Sequence, residues 1–327
     1  MTDGTTIPSP QRGLPVEPAP WDLEAIADGL RGARERWRQA HRRNVEIGAQ
    51  GFPSRARVNA IIADLCAALY PQRLGTAHGE ADEDAYVASV LRSALQNLLD
   101  QVRIELRYWG SEAREPFADE DATTILRHFA AGLPEIRAII ATDIEAAFLG
   151  DPAARSVDEN LICYPCALAV IHHRIAHSLH GLGAPLIARI ISEIANSRTG
   201  IDIHPGASIG PSFFIDHGTG VVIGETAIIG ARVRLYQAVT LGARRLWADS
   251  SGGVRERFAR HPIIEDDVVI YAGATILGRV TIGRGSTIGG KVWLVDDVPA
   301  GSLVTQAETR HRISTRSAPL HEEDLAR

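Results

Sequence analysis

The chain has 327 residues, long enough for two domains, with an ordinary apolar fraction and a net charge of −6. Asp and Glu (40) outnumber Lys and Arg (34) and no basic block stands out, which argues against a nucleic-acid partner. No apolar run approaches a membrane span, and Cys66, Cys163 and Cys166 are odd in number with no disulfide framework, so a soluble cytoplasmic protein without membrane association is expected.

Residues 1–20 hold five prolines and no apolar core, and read as a disordered leader, not a secretory signal. Residues 21–198 are patterned as an α-helical domain. Leu23, Ile26, Leu30, Ala33 and Trp37 step by three and four along one face. Ser54 is placed to cap a second helix bearing Val58, Ile61, Leu65 and Leu69. A long helix is expected from Asp82 to Trp109 and a short one from Asp121 to Ala131. A further helix from Leu133 carries Pro134 in its first turn and is stopped by Gly150, Asp151 and Pro152. Two more are expected, Ala167 to His180 and Pro185 to Asn196.

From residue 199 to 306 the period changes to six. Ile203, Ile209, Ile215, Val221, Ala227, Val233 and Val239 form one run of small apolar residues. Ile264, Ile270, Ile276, Ile282, Ile288, Leu294 and Ala300 form a second. Period six fits neither a helix nor a strand alternation. It fits a triangular parallel β-helix with three six-residue sides per coil, each periodic residue pointing inward. The fold class is therefore α+β, an all-α domain followed by a parallel β-helix. The break at 242–262 reads as a loop extruded from the coil and placed to cover a site on its flank. Residues 307–327 read as a polar C-terminal tail.

Several residues could carry chemistry. Asp202 and His217 are fifteen apart, within one coil, so a carboxylate could orient an imidazole acting as a general base. Spacing alone leaves equal room for aspartates that only shape turns. Arg260 and His261 stand where the loop returns; a guanidinium there could hold a carboxylate, or could simply be solvated. Cys163 and Cys166 form a C-x-x-C without a second copy, which favours a structural role. His172, His173 and His177 share a helix but lack the Glu of the H-E-x-x-H metal motif, which favours packing or polar contacts.

The run Asp202-Ile203-His204-Pro205-Gly206-Ala207 resembles the serine O-acetyltransferase family. So do Phe214-Ile215-Asp216-His217-Gly218-Thr219-Gly220, Gln237-Ala238-Val239-Thr240-Leu241-Gly242, Arg260-His261-Pro262 and Tyr271-Ala272-Gly273-Ala274. Asp151-Pro152-Ala153, Tyr164-Pro165 and Arg174-Ile175-Ala176-His177 extend the likeness upstream. It is strong from about residue 135 to 306 and weak before 130, where the chain resembles the extended helical region of a longer-chained subgroup.

The resemblance implies a left-handed β-helix below a helical domain, and acetyl transfer from acetyl-CoA to the L-serine hydroxyl for cysteine synthesis. It implies His217 as general base and Asp202 as its orienting carboxylate. Asp151, Asp216, Arg260 and His261 match serine-binding positions. Gly242, Ala243, Ala272 and Gly290 match positions that meet acetyl-CoA; the family usually has a second glycine at position 243. No metal is implied. L-cysteine is implied as a feedback inhibitor, and the assembly as a homotrimer or a dimer of trimers. Many members end in an isoleucine that enters the sulfhydrylase acting next. This chain ends in Arg327, and burying an unpaired guanidinium argues against that complex. The competing reading is another hexapeptide acyltransferase acting on a sugar or xenobiotic hydroxyl, which has no use for a carboxylate clamp at Arg260.

Overall fold

The computed structural model describes residues 21–40, 51–76, 79–113, 119–244 and 258–307. The expected leader, the middle of the loop and the tail beyond Ala307 lie outside them. The chain divides into two units, residues 1–48 and 49–327. The first contains α1 (Leu23–Ala40), begun by Asp22, whose carboxylate accepts Ala25 N–H at 2.9 Å. The helix buries none of its side chains, and Leu23, Ile26, Leu30 and Trp37 are exposed.

In the second unit, α2 (Arg55–Leu69) starts at Ser54, whose hydroxyl accepts Arg57 N–H. Then come α3 (Pro71–Leu74), α4 (Glu83–Ala113), α5 (Asp119–Ala131), α6 (Leu133–Gly150), α7 (Val157–Cys163), α8 (Pro165–Gly181) and α9 (Pro185–Thr199). Prolines open α6, α8 and α9, where a missing N–H is harmless. The sequence did not announce α3 and α7, which at four and seven residues are too short to display a period. The first turn of α9 is capped from a distance. Buried Glu105 of α4 accepts Leu186 N–H at 2.6 Å, Ile187 N–H at 2.8 Å and the Trp109 indole at 3.0 Å. Helix α9 ends at Gly200, whose φ of 69° lets the chain turn out of the helix.

Short parallel strands then climb in coils. The first coil is β1 (Asp202–Ile203), β2 (Ser208–Ile209) and β3 (Phe214–Ile215). The second is β4 (Val222–Ile223), β5 (Ile228–Ile229) and β6 (Arg234–Leu235). The third is β7 (Thr240–Gly242), β8 (Ile263–Ile264) and β9 (Val269–Ile270). The fourth is β10 (Thr275–Leu277), β11 (Thr281–Ile282) and β12 (Thr287–Ile288). The last part-coil is β13 (Trp293–Leu294) and β14 (Leu303–Val304). They stack as three sheets: face one is β1-β4-β7-β10-β13, face two β2-β5-β8-β11, and face three β3-β6-β9-β12-β14. Ile215, Ile270, Ile276, Ile282 and Ile288 are fully buried, each worth about 1.5–3 kcal/mol over exposure.

Two inward rows line this core, and the sequence count crosses from one to the other. Asp202 pairs with Val222, twenty positions on, whereas Val222 pairs with Thr240, eighteen on. The gap from β3 to β4 is six residues, 216–221, against four, 204–207, between β1 and β2. Two residues are thus inserted at the corner that contains His217. Ile203, Ile209 and Ile215 continue in space as Ile223, Ile229, Leu235 and Leu241. Val221, Ala227, Val233 and Val239 belong to the second row, with Ile201, Ala207 and Phe213. Ala300, counted as inward, is exposed, because the last coil closes early: Ile288 pairs with Val304, sixteen on.

The helices grip the first coil through a buried ion pair. Arg174 of α8 meets Asp143 of α6 at 2.9 and 3.0 Å, and also donates to Ile209 O and to Gly210 O (2.7 Å). Asp143 in turn accepts Phe213 N–H at 2.8 Å, and Thr142 Oγ1 accepts Ser212 N–H at 2.9 Å. The His177 ring donates through Nδ1 to Pro205 O at 2.8 Å. Removing one partner of such a buried pair costs about 3–5 kcal/mol, so the site built on these elements has a stiff base.

Candidate active site

Two corners of the β-helix hold the candidate residues. The first joins face three to face one. There the inserted residues throw out a tight bulge with φ of 58° at His217, 85° at Gly218 and 80° at Gly220. Positive φ is uncommon for a residue with a side chain, and His is among those that tolerate it. A Cβ at Gly218 would strike the side chains of Ile201 and Ile215, so glycine is required for the bulge to close on the core. The His217 side chain is 73% exposed and its Nε2 lies 3.8 Å from the Asp216 carboxylate, which is itself only 17% exposed.

Asp151, at the end of α6, belongs to the same cluster. Its carboxylate accepts the Tyr164 hydroxyl at 2.5 Å and Ala153 N–H at 2.8 Å. Those two bonds, the tyrosine's first, hold it below the usual carboxylate range, with smaller help from His217 and Arg234 nearby. Ala272 and Gly290 stand on the same corner two and three coils up. Lys291 N–H donates to Ala272 O at 2.9 Å, and a Cβ at Gly290 would approach that oxygen to 3.2 Å.

The second corner joins face one to face two. Thr226 organises it. Its Oγ1 accepts Arg260 N–H at 2.9 Å and His261 N–H at 3.1 Å, and its own N–H donates to His261 Nδ1 at 3.0 Å. With Nδ1 accepting, the ring proton is on Nε2. The buried ring lies over Gly224, where any Cβ would collide with it. Burial, then the Arg260 charge, lowers the His261 pKa, so the ring is neutral. Arg260 pairs with Glu225 at 2.6 Å, and Arg279 staples the loop's return by donating to Thr226 O (2.7 Å) and His261 O (3.0 Å). Gly242 and Ala243 sit on this corner as well, Gly242 O accepting Gly278 N–H at 2.9 Å. The four residues expected to meet acetyl-CoA are therefore divided, two to each corner.

Within one chain the two corners stand at opposite ends of β4. Asp202 makes no hydrogen bond to His217. It lies on face one of the first coil, 3.9 Å from Arg189 of α9, and burial pushes its carboxyl pKa upward with Arg189 opposing. The sequence assigns no role to Tyr164, Glu225 or Thr226, although Tyr164 stands in Tyr164-Pro165 and Glu225 and Thr226 end the family-like run Val222-Ile223-Gly224-Glu225-Thr226. The three cysteines are free, and burial pushes the Cys166 thiol up to about 12. Among the described residues no group of three or more His, Cys, Asp or Glu is arranged to hold a metal ion, and no helix is long and apolar enough to cross a membrane.

A three-sided coil of hexapeptide repeats is the architecture of the hexapeptide-repeat transferases. Residues 261–295 match the model of that class, described as bacterial transferase hexapeptide (six repeats). A serine acetyltransferase of Synechococcus elongatus, described as plasmid-borne, is 51% identical over 267 residues, covering 79% of this chain and 83% of its own. One from Bacillus licheniformis is 49% identical, over 50% of this chain and 71% of its own. Among solved structures, serine acetyltransferase isoform 3 of Entamoeba histolytica in complex with cysteine superposes with a TM-score of 0.66 at 33% identity, covering 79% of this chain and 84% of that one. Serine acetyltransferase 1 of the same organism, in complex with L-cysteine, gives 0.67 at 36%, covering 76% and 86%. The chain belongs to the serine acetyltransferase family, with the left-handed β-helix of that family beneath its helices.

Proposed function

We propose that His217 is the general base of acetyl transfer from acetyl-CoA to the hydroxyl of L-serine. The observation that carries this is the bulge itself: two inserted residues and three positive φ angles present one imidazole to solvent beside the carboxylates of Asp216 and Asp151. Serine's hydroxyl is a weak nucleophile at neutral pH. His217 takes its proton as the oxygen attacks the thioester carbonyl, worth a factor of about 10²–10⁴. When the carbon–sulfur bond breaks, the imidazolium returns that proton to the departing CoA thiolate. Asp151 and Asp216 accept hydrogen bonds from serine's ammonium. Arg260 and the Nε2–H of neutral His261 hold its carboxylate. Asp202 steadies the imidazolium from its place on the same coil. The backbone at Gly242 and Ala243 supplies a donor to the developing oxyanion, about 3–4 kcal/mol of barrier lowering. Ala272 and Gly290, with no bulk beyond a methyl, leave room for the pantetheine arm.

The division of these groups between two corners supports a site completed by a second copy, whose Arg260 corner meets the His217 corner of the first. The family resemblance implies a trimer, or two trimers joined through helices, and closed symmetry is the usual outcome for such homo-oligomers. L-cysteine, with sulfur in place of oxygen, fits the same contacts, and competition with serine in steady-state kinetics is the sign of it. A cytoplasmic setting is part of the same reading and agrees with three free cysteines.

The test is kinetic. His217→Ala should lower kcat at least about a hundredfold while acetyl-CoA still binds, and Asp202→Ala should cost less. Co-refolding His217→Ala with Arg260→Ala subunits should recover part of the activity, because some interfaces then join two intact corners. A near-normal kcat in His217→Ala ends the assignment, and no recovery on mixing ends the shared site.

A further inference from the structure

The carboxylate of Asp151 is fixed from two sides by donors of its own chain. Oδ1 accepts Ala153 N–H and Oδ2 accepts the Tyr164 hydroxyl, the latter at 2.5 Å. Tyr164 stands at the joint of α7 and α8, with Pro165 following it as the first residue of α8. Its half-buried ring packs against both the helical core and the β-helix core. The hydroxyl is therefore aimed by two packed layers, and the joint cannot drift without moving both helices.

We propose that Tyr164 is the positioning residue for the ammonium of serine, orienting the Asp151 carboxylate without neutralising it. The inference rests on the reading of Asp151 as an acceptor for that ammonium. The choice of donor matters. A carboxylate that must attract a cation has to be held still without being neutralised. A lysine or arginine would hold it and cancel its charge. A phenol makes a short, charge-assisted bond and brings no charge. Each carboxylate oxygen has about two acceptor positions; one on each is used by Tyr164 and Ala153, which leaves one on each for an ammonium. The bond to Asp151 pushes the phenol pKa up to about 12, so the hydroxyl remains a donor at any working pH. The neighbouring guanidinium of Arg234 does not bond the carboxylate. It lies 5.2 Å from the Phe214 ring centroid and donates to the Tyr236 hydroxyl at 3.4 Å.

Tyr164→Phe keeps the ring and its packing and removes only the hydroxyl. Steady-state kinetics of Tyr164→Phe, Asp151→Asn and the double variant test the idea. We expect the serine KM to rise about tenfold in Tyr164→Phe, the acetyl-CoA KM to stay put and kcat to change little. The double variant should be no worse than Asp151→Asn alone, because the hydroxyl acts only through that carboxylate. An unchanged serine KM in Tyr164→Phe beside a raised one in Asp151→Asn would overturn the inference and leave the ammonium reading standing. An unchanged KM in both would bring down the ammonium reading. Additive losses affecting both substrates alike would make Tyr164 a packing residue and overturn the proposal.

Discussion

Two histidines stand on two corners of one β-helix and are built in opposite ways. At the first corner the chain inserts two residues and accepts a positive φ to push the His217 ring outward. At the second it surrounds His261 with Thr226, Gly224 and Arg260, buries the ring and fixes its proton on Nε2. One imidazole stands exposed beside a carboxylate and the other presents a fixed N–H. The same side chain can serve either way; the surrounding backbone decides which.

The contrast can be broken at the buried corner. Gly224→Ala puts a methyl where the His261 ring lies, so the ring must leave. A displacement on the order of 1 Å at a positioned group costs about a hundredfold in rate, and the serine kcat/KM should fall by that order. A near-normal value would mean that the fixed ring does not serve the reaction. Thr226→Val is milder. It removes the oxygen that accepts the N–H groups of Arg260 and His261. About tenfold in serine kcat/KM is expected, with about 1–3 kcal/mol of stability lost to the stranded donors; a lower melting temperature with unchanged kinetics would assign Thr226 to the fold alone.

The smallest effect is in acid. Burial lowers the pKa of His172 and His204 to about 4, and holds that of His173 well below the usual imidazole range. In the unfolded chain these rings take protons near pH 6.5. Between about 6.5 and about 4 the unfolded state therefore binds more protons, and stability falls as pH falls through that window. Melting temperatures recorded from pH 7.5 to 4 should decline across it, and less so in His204→Asn. A flat profile would show that these rings are not held neutral.

Much of the fold is legible because period six is a long-range regularity that few residues can fake. The slip at 216–221 is hidden by chemistry: both inward rows are apolar, so a count that jumps rows there meets another Val or Ala. The reactive side chains could be picked out by type, spacing and resemblance. Their division between two corners could not, because it depends on which turn of the coil each residue occupies. The roles of Tyr164 and Thr226 are illegible in the sequence for a different reason. Both residues act by bonding other side chains and backbone groups at distances of 13 and 34 or 35 positions in sequence.

The grip of the helices on the first coil has one more consequence. A stack of parallel strands ends in a row of open backbone groups that can template another strand, from the same chain or from a stranger. Here Arg174 takes the carbonyls of Ile209 and Gly210, Thr142 and Asp143 take the amides of Ser212 and Phe213, and His177 takes the carbonyl of Pro205. Side chains thus finish the ladder where a further coil would otherwise begin. The ion pair between Asp143 and Arg174 is in this sense a lid on the open end of the coil, placed where the next strand of a longer stack would have to pair.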